Sequence, residues 1–147
     1  MQLKQGADLH TSTFTQMVAY EVAHGGFLDE HIKVIRRVYG ERRDVMLDAL
    51  EEHFPPALGV TWTRPAGGLF LWVRLPEGMD SHRLLEAAIR ENVAFVPGDA
   101  FFADDAMDKG CRCYFRMNFS NAAPEQINEG VRRLAVAVRQ MAKEMAE

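Results

Sequence analysis

The stretch Cys111–Phe119, Cys-Arg-Cys-Tyr-Phe-Arg-Met-Asn-Phe, alternates strictly in polarity and predicts an extended strand over 111–119. Cys111, Cys113, Phe115, Met117 and Phe119 fall on one face, and Arg112, Tyr114, Arg116 and Asn118 on the other. A period of two seats such a run in a sheet whose apolar face meets a core. The second face carries arginine, and arginine inside a sheet layer needs an anion or a carboxylate partner. Arg116 is therefore the leading candidate for gripping an acidic group on a small ligand. The alternative from the residues alone is an internal ion pair with Asp99 or Glu125.

Around this strand the chain reads α, α, β, β, α, β, β, α. Leu9 to His24 starts polar and turns amphipathic at Phe14, Met17, Val18 and Val22, and Gly25-Gly26 ends it. Asp29 is placed to cap a second helix reaching about Phe54, with Gly40 suggesting a bend or a loosened turn but no clean break, and Pro55-Pro56 a firm stop. Val60–Thr63 is a short strand. Leu69–Leu75 is apolar on both faces apart from Arg74, which suits a central strand. Asp80 is placed to cap a helix over Ser81–Glu91 that buries Leu84, Leu85, Ala88 and Ile89, and Val93–Val96 is a further strand. Pro124 fits the first turn of a closing helix striped by Ile127, Val131, Leu134, Val138 and Met141. The expected fold is α/β of the α+β kind, a small, mostly antiparallel sheet covered by helices.

At 147 residues, with 48% hydrophobic and 26% charged, the chain is long enough to bury a core without staples. A net charge of −4 with no lysine cluster argues against nucleic-acid binding. No apolar run is long enough to span a membrane, and no signal-peptide pattern is seen at the start. Cys111 and Cys113 are two apart on one predicted strand face and cannot usefully staple a fold. They are read as reduced core residues of a cytoplasmic protein, and no metal centre is expected.

Several segments together resemble the class I/II, fold-type I aminotransferases that use pyridoxal phosphate, in the branch of the 2-aminoadipate aminotransferases. They are Asp8-Leu-His-Thr-Ser, Gly26-Phe-Leu-Asp-Glu-His-Ile, Tyr39-Gly-Glu-Arg-Arg-Asp-Val-Met-Leu and Thr61-Trp-Thr-Arg-Pro-Ala-Gly-Gly-Leu-Phe-Leu-Trp. Val93-Ala-Phe-Val-Pro-Gly-Asp-Ala-Phe and Phe115-Arg-Met-Asn-Phe-Ser complete the set, in the family's order and at its spacing. The resemblance covers nearly the whole chain but only about the last third of such an enzyme. It implies that 28–147 is the C-terminal small domain, and that 1–27 is the tail of a missing large domain that holds the cofactor. It also implies that Arg116 pairs with the substrate's α-carboxylate, a role suited to a planar fork of N–H donors. Asn118 either orients the site or bonds to neighbouring backbone. Gly67 and Gly68 border the cleft, or simply make a turn by close approach or positive φ. Phe101 and Phe102 line the site or serve as core. Thr11, Ser12 and Thr13 correspond to a segment near the dimer interface of the complete enzymes, or form a helix cap.

Transamination needs a lysine that holds the cofactor as an imine and moves the proton. Lys4, Lys33, Lys109 and Lys143 are the lysines here, and none stands in the family's Ser-x-Ser-Lys-like context. The expectation is an inert C-terminal domain that binds no pyridoxal phosphate by itself. It belongs to a homodimeric parent acting on an amino acid and a 2-oxo acid. Two other readings stay open: the effector-sensing, aminotransferase-like half of a bacterial transcription regulator, or a stand-alone binding or dimerisation module.

Overall fold

A computed structural model of the chain describes residues 2–103 and 110–145. Two compact units emerge, Met1–Val38 and Tyr39–Glu147. In the first, α1 (Gln2–Asp8) leads through Leu9, at φ 62°, to α2 (Thr13–Ala23). Ser12 occupies the N-cap position of α2, but its side chain makes no capping bond. Gly25 and Gly26 follow at φ 90° and 84°, a left-handed pair that turns the chain out of the helix. Within this unit α2 buries none of its residues, and Phe14 is 76% exposed.

The third helix, α3 (Phe27–His53), begins three residues earlier than a cap at Asp29 would place it, so Asp29 sits in its first turn and is not its cap. It runs unbroken through Gly40, where a bend or a loosened turn but no clean break was expected. One glycine costs a helix about 1 kcal/mol, too little to break a segment of this length. The division between the units falls within α3.

In the second unit β1 (Thr61–Trp62), β2 (Phe70–Arg74), β3 (Val96–Pro97) and β4 (Tyr114–Asn118) form one sheet in the order β1-β2-β4-β3. Every pairing is antiparallel. β2 and β4 are central, as the two-sided apolar pattern of β2 suggested, with Leu71 opposite Met117 and Val73 opposite Phe115. These four side chains are buried under the second half of α3, α4 (Ser81–Arg90) and α5 (Pro124–Glu144) in one core cluster. α5 buries all five stripe residues read from the sequence. The side-chain Oε1 of Gln126 accepts the Ala123 N–H at 3.0 Å and so satisfies a donor just ahead of the first turn.

Three sequence readings need correction. Cys111–Cys113 is a turn of 3₁₀ helix following Gly110 at φ 80°, so the strand starts only at Tyr114. Cys111 is nonetheless buried. Of the expected strand Val93–Val96 only Val96 pairs with a neighbour, joined by Pro97 beyond it. Asn92 at φ 59° turns the chain out of α4, and β3 is an edge strand, where a proline without an N–H is tolerated. Ile89 is 57% exposed, on the far side of α4 from Leu84 and Ala88.

Candidate functional site

The outer face of the sheet carries the candidate site. Alternation along β4 sends Phe115 and Met117 into the core and turns Tyr114, Arg116 and Asn118 to the other side. β2 does the same, presenting Phe70, Trp72 and Arg74 outward. Register sets Trp72 directly across from Arg116 on one side and Val96 across from it on the other. Arg116 thus stands in the middle of the sheet, half-buried.

Its guanidinium meets aromatic rings. Cζ lies 3.9 Å from the ring centroid of Phe70 and 4.2 Å from that of Phe101, both within cation–π range. Phe70 lies diagonally across the strand pair, since its direct partner is Asn118, and long side chains reach such diagonal neighbours. Behind these rings Trp72 packs edge-on to Phe101 (centroids 5.4 Å), Phe102 (6.3 Å) and Tyr114 (6.3 Å). The internal ion pair considered for Arg116 does not form: among the described residues its guanidinium has neither a carboxylate partner nor a hydrogen-bond acceptor.

Asp99 instead pairs with His82 at the start of α4, Oδ2 to Nε2 at 2.7 Å. That hydrogen bond holds the Asp99 carboxyl below its ordinary pKa, with the His82 and Arg112 charges adding to the effect. The pair anchors the 3₁₀ turn Gly98–Phe101. A second constraint on this turn is Gly98, where a Cβ would stand 2.6 Å from the carbonyl oxygen of Tyr114. Only glycine allows the turn to lie against the start of β4, and Phe101 is thereby delivered over Arg116.

Asn118 shares the outer face, and its Oδ1 accepts the Ser120 N–H at 2.6 Å and the Ser120 Oγ–H at 2.8 Å. The bond to neighbouring backbone considered for it is therefore present. Arg42 of α3 donates to the Ser120 carbonyl, fixing the exit from β4. Gly67 and Gly68 lie in the loop between β1 and β2. Gly68 has φ 85°, and no atom comes within 4 Å of a Cβ built at either glycine, so a turn with positive φ, and not close approach, is what this pair provides. Arg64 pairs with Glu51 of α3, and Arg43 donates to the Pro65 carbonyl at 3.4 Å, anchoring the loop at its base. Arg112 reaches Asp80 at 3.5 Å, and Arg74 lies 5.9 Å from the Tyr114 ring centroid.

Among the described residues, the side chains of two of the four lysines can be placed. Lys33 pairs with Glu30 at 2.7 Å, and Lys143 is exposed in the last turn of α5, the helix that packs on the core face of the sheet. Lys109 and the side chain of Lys4 lie outside the described residues. Among the described residues no group of three or more His, Cys, Asp or Glu side chains is placed to hold a metal ion, and no helix is long and apolar enough to cross a membrane.

Sequence reasoning singled out Arg116 and named Phe101 as a lining residue, but did not anticipate Phe70 against the same guanidinium. The available signal was Phe70-Leu-Trp72, whose alternate residues are aromatic on the same face as an arginine-bearing strand.

Residues 2–134 match the family "Aminotransferase class I and II". Aromatic-amino-acid aminotransferase 1 of Thermococcus litoralis is 46% identical over 140 residues, which is 95% of this chain and 32% of that protein. The crystal structure of the multiple substrate aminotransferase of Thermococcus profundus superposes with a TM-score of 0.87 at 45% identity, covering 97% of this chain and 34% of that one. The α-aminoadipate aminotransferase of Thermus thermophilus, complexed with N-(5′-phosphopyridoxyl)-L-leucine, gives 0.83 at 42% identity, over 97% and 35%. This chain spans about a third of the length of these relatives. The small antiparallel sheet with its helices is the C-terminal portion of the fold-type I architecture. By sequence and by fold, the chain belongs to the class I and II aminotransferases.

Proposed function

We propose that this chain is the small domain of a pyridoxal-phosphate-dependent aminotransferase, and that Arg116 binds the α-carboxylate of the amino acid and of the 2-oxo acid between which the amino group moves. The observation that carries this reading is the state of Arg116: a half-buried guanidinium in mid-sheet, covered by rings and met by no acid among the described residues. Burying a cation part-way without a counter-ion is costly, and an anionic ligand removes that cost. A carboxylate fits the planar fork of donors with two parallel bonds, which orient the substrate as well as bind it.

In this reading residues 1–27 are the tail of a large domain and 28–147 form the small domain that closes on it. The large domain supplies the lysine and the cofactor cradle, and the cofactor supplies the electron sink that makes amino-group transfer feasible. The small domain supplies substrate grip and orientation and is inert by itself. The assembled enzyme is a cytoplasmic homodimer. Asn118 holds the β4 exit in place beneath the bound carboxylate, and Gly67-Gly68 give the β1–β2 loop its turn at the cleft's border.

The test is a fusion in which this chain replaces the corresponding third of the Thermus thermophilus α-aminoadipate aminotransferase. Amino-group transfer by the fusion, with none by the chain alone, is the expected result. A folded, cofactor-loaded fusion that transfers nothing would overturn the proposal.

A further inference from the structure

Phe70 and Phe101 contact no ligand in the reading above, yet both rings lie against the cation. Their geometry is specific. Cζ of Arg116 lies over both ring faces, at 3.9 and 4.2 Å, where each ring's negative quadrupole attracts the charge. An acidic partner in the same place would hold the guanidinium through its N–H groups and compete with an incoming carboxylate. A ring holds it through its charge and leaves those donors unspent.

The two rings are also placed independently of Arg116. Phe70 is put on the outer face, diagonal to Arg116, by the β2–β4 register. Phe101 is set by the His82–Asp99 bond at 2.7 Å, by the close seat of Gly98 on Tyr114, and by its edge contact with Trp72 at 5.4 Å. Arginine has several rotatable bonds and loses rotamer entropy when pinned. If that loss is incurred before the ligand arrives, binding is tighter.

We infer that Phe70 and Phe101 are positioning residues that pre-orient the Arg116 guanidinium, holding it by its faces so that its N–H edge is presented to a carboxylate lying in its plane. The inference rests on the assignment of Arg116 as the carboxylate arginine and adds the device that aims it.

The first test uses the 147-residue chain itself, with the Nε–Hε resonance of Arg116 as the probe. Stacking on two rings moves this proton upfield of a free arginine's position. Phe70→Leu and Phe101→Leu each return it part-way, whereas Phe101→Tyr, which keeps the ring, leaves it in place. An unshifted Hε in the unmodified chain overturns the inference without recourse to any variant that might fail to fold. The second test measures kinetics in the fusion enzyme. Each Phe→Leu change raises KM roughly threefold to tenfold at little-changed kcat, because grip on the carboxylate is weakened equally in ground and transition states, and Phe101→Tyr restores it. A loss in kcat with no Tyr rescue points to mere packing and also overturns the inference. If Arg116→Ala impairs the enzyme and both Leu variants are normal, the pre-orientation fails while the carboxylate assignment stands. If Arg116→Ala is itself normal, the assignment fails, and with it the inference.

Discussion

Replacing Arg116 by alanine is the perturbation whose size is best bounded. In the proposed complex the guanidinium makes two parallel charge-assisted bonds to the substrate carboxylate, each worth about 1.5–3 kcal/mol. Even the lower value for both, about 3 kcal/mol, corresponds to a loss of more than a hundredfold in kcat/KM, at 1.36 kcal/mol per factor of ten. The stacking on two rings, which disappears with the side chain, does not add to this, since no acid among the described residues is left unpaired by the change. Arg116→Lys keeps the charge but loses the fork, and is expected to fall between the two. The assay is steady-state transfer from an amino acid to a 2-oxo acid by the fusion enzyme, with cofactor absorbance and circular dichroism confirming that each variant is folded and loaded. An Arg116→Ala enzyme within about threefold of the unmodified kcat/KM would refute the reasoning, because so small a change is below the worth of even one such bond.

Further consequences follow from the local geometry. Gly98→Ala puts a Cβ 2.6 Å from the Tyr114 carbonyl oxygen, and since backbone cannot yield as a flexible side chain would, a stability loss of about 1–3 kcal/mol is expected from chemical denaturation. Asp80→Ala removes the Oδ1 that accepts the His82 and Arg83 N–H groups at 2.8 and 3.3 Å, and should cost ~1 kcal/mol in the same measurement. The hydrogen bonds from Arg132 and then Arg133 lower the Glu129 pKa from 4.5 to about 2. A carboxylate shifted downward stabilises the fold above its unfolded value and loses that contribution as pH falls through the folded one. Glu129→Gln should therefore flatten the stability decline between pH 4.5 and about 2, followed by urea titration across that range; an unchanged decline would show that the pair contributes nothing.

What could be read from the residues was whatever depends on local periodicity. The α5 stripe and the alternation of Phe115, Met117 and Phe119 each encode one buried face, and both faces are where the pattern put them. Arg116 was legible for the same reason: a strand whose alternate residues are buried must turn the intervening arginine the other way. The failures lie where a single residue or a distant segment decides. Gly110 in the left-handed region shortens β4 at its start, and Asn92 does the same to the strand after α4. The tight seat of Gly98 depends on the Tyr114 backbone, sixteen positions along, and the meeting of Phe70 with Phe101 on one guanidinium depends on sheet register together with a loop return. Periodicity cannot see either. Nor could it distinguish an arginine paired with Asp99 from one held by rings, because the partner of Asp99 is His82, seventeen positions earlier on another element.

The claim at the centre of this account is that the chain carries the grip on substrate while the imine-forming lysine lies elsewhere. The most direct measurement is titration of the chain alone with pyridoxal phosphate, followed by borohydride reduction and peptide mapping. The account expects no tight, site-specific adduct, only scattered low-level labelling of accessible amines. A single reduced adduct on one lysine, accompanied by amino-group transfer, would show that this chain holds its own catalytic site and would contradict the account.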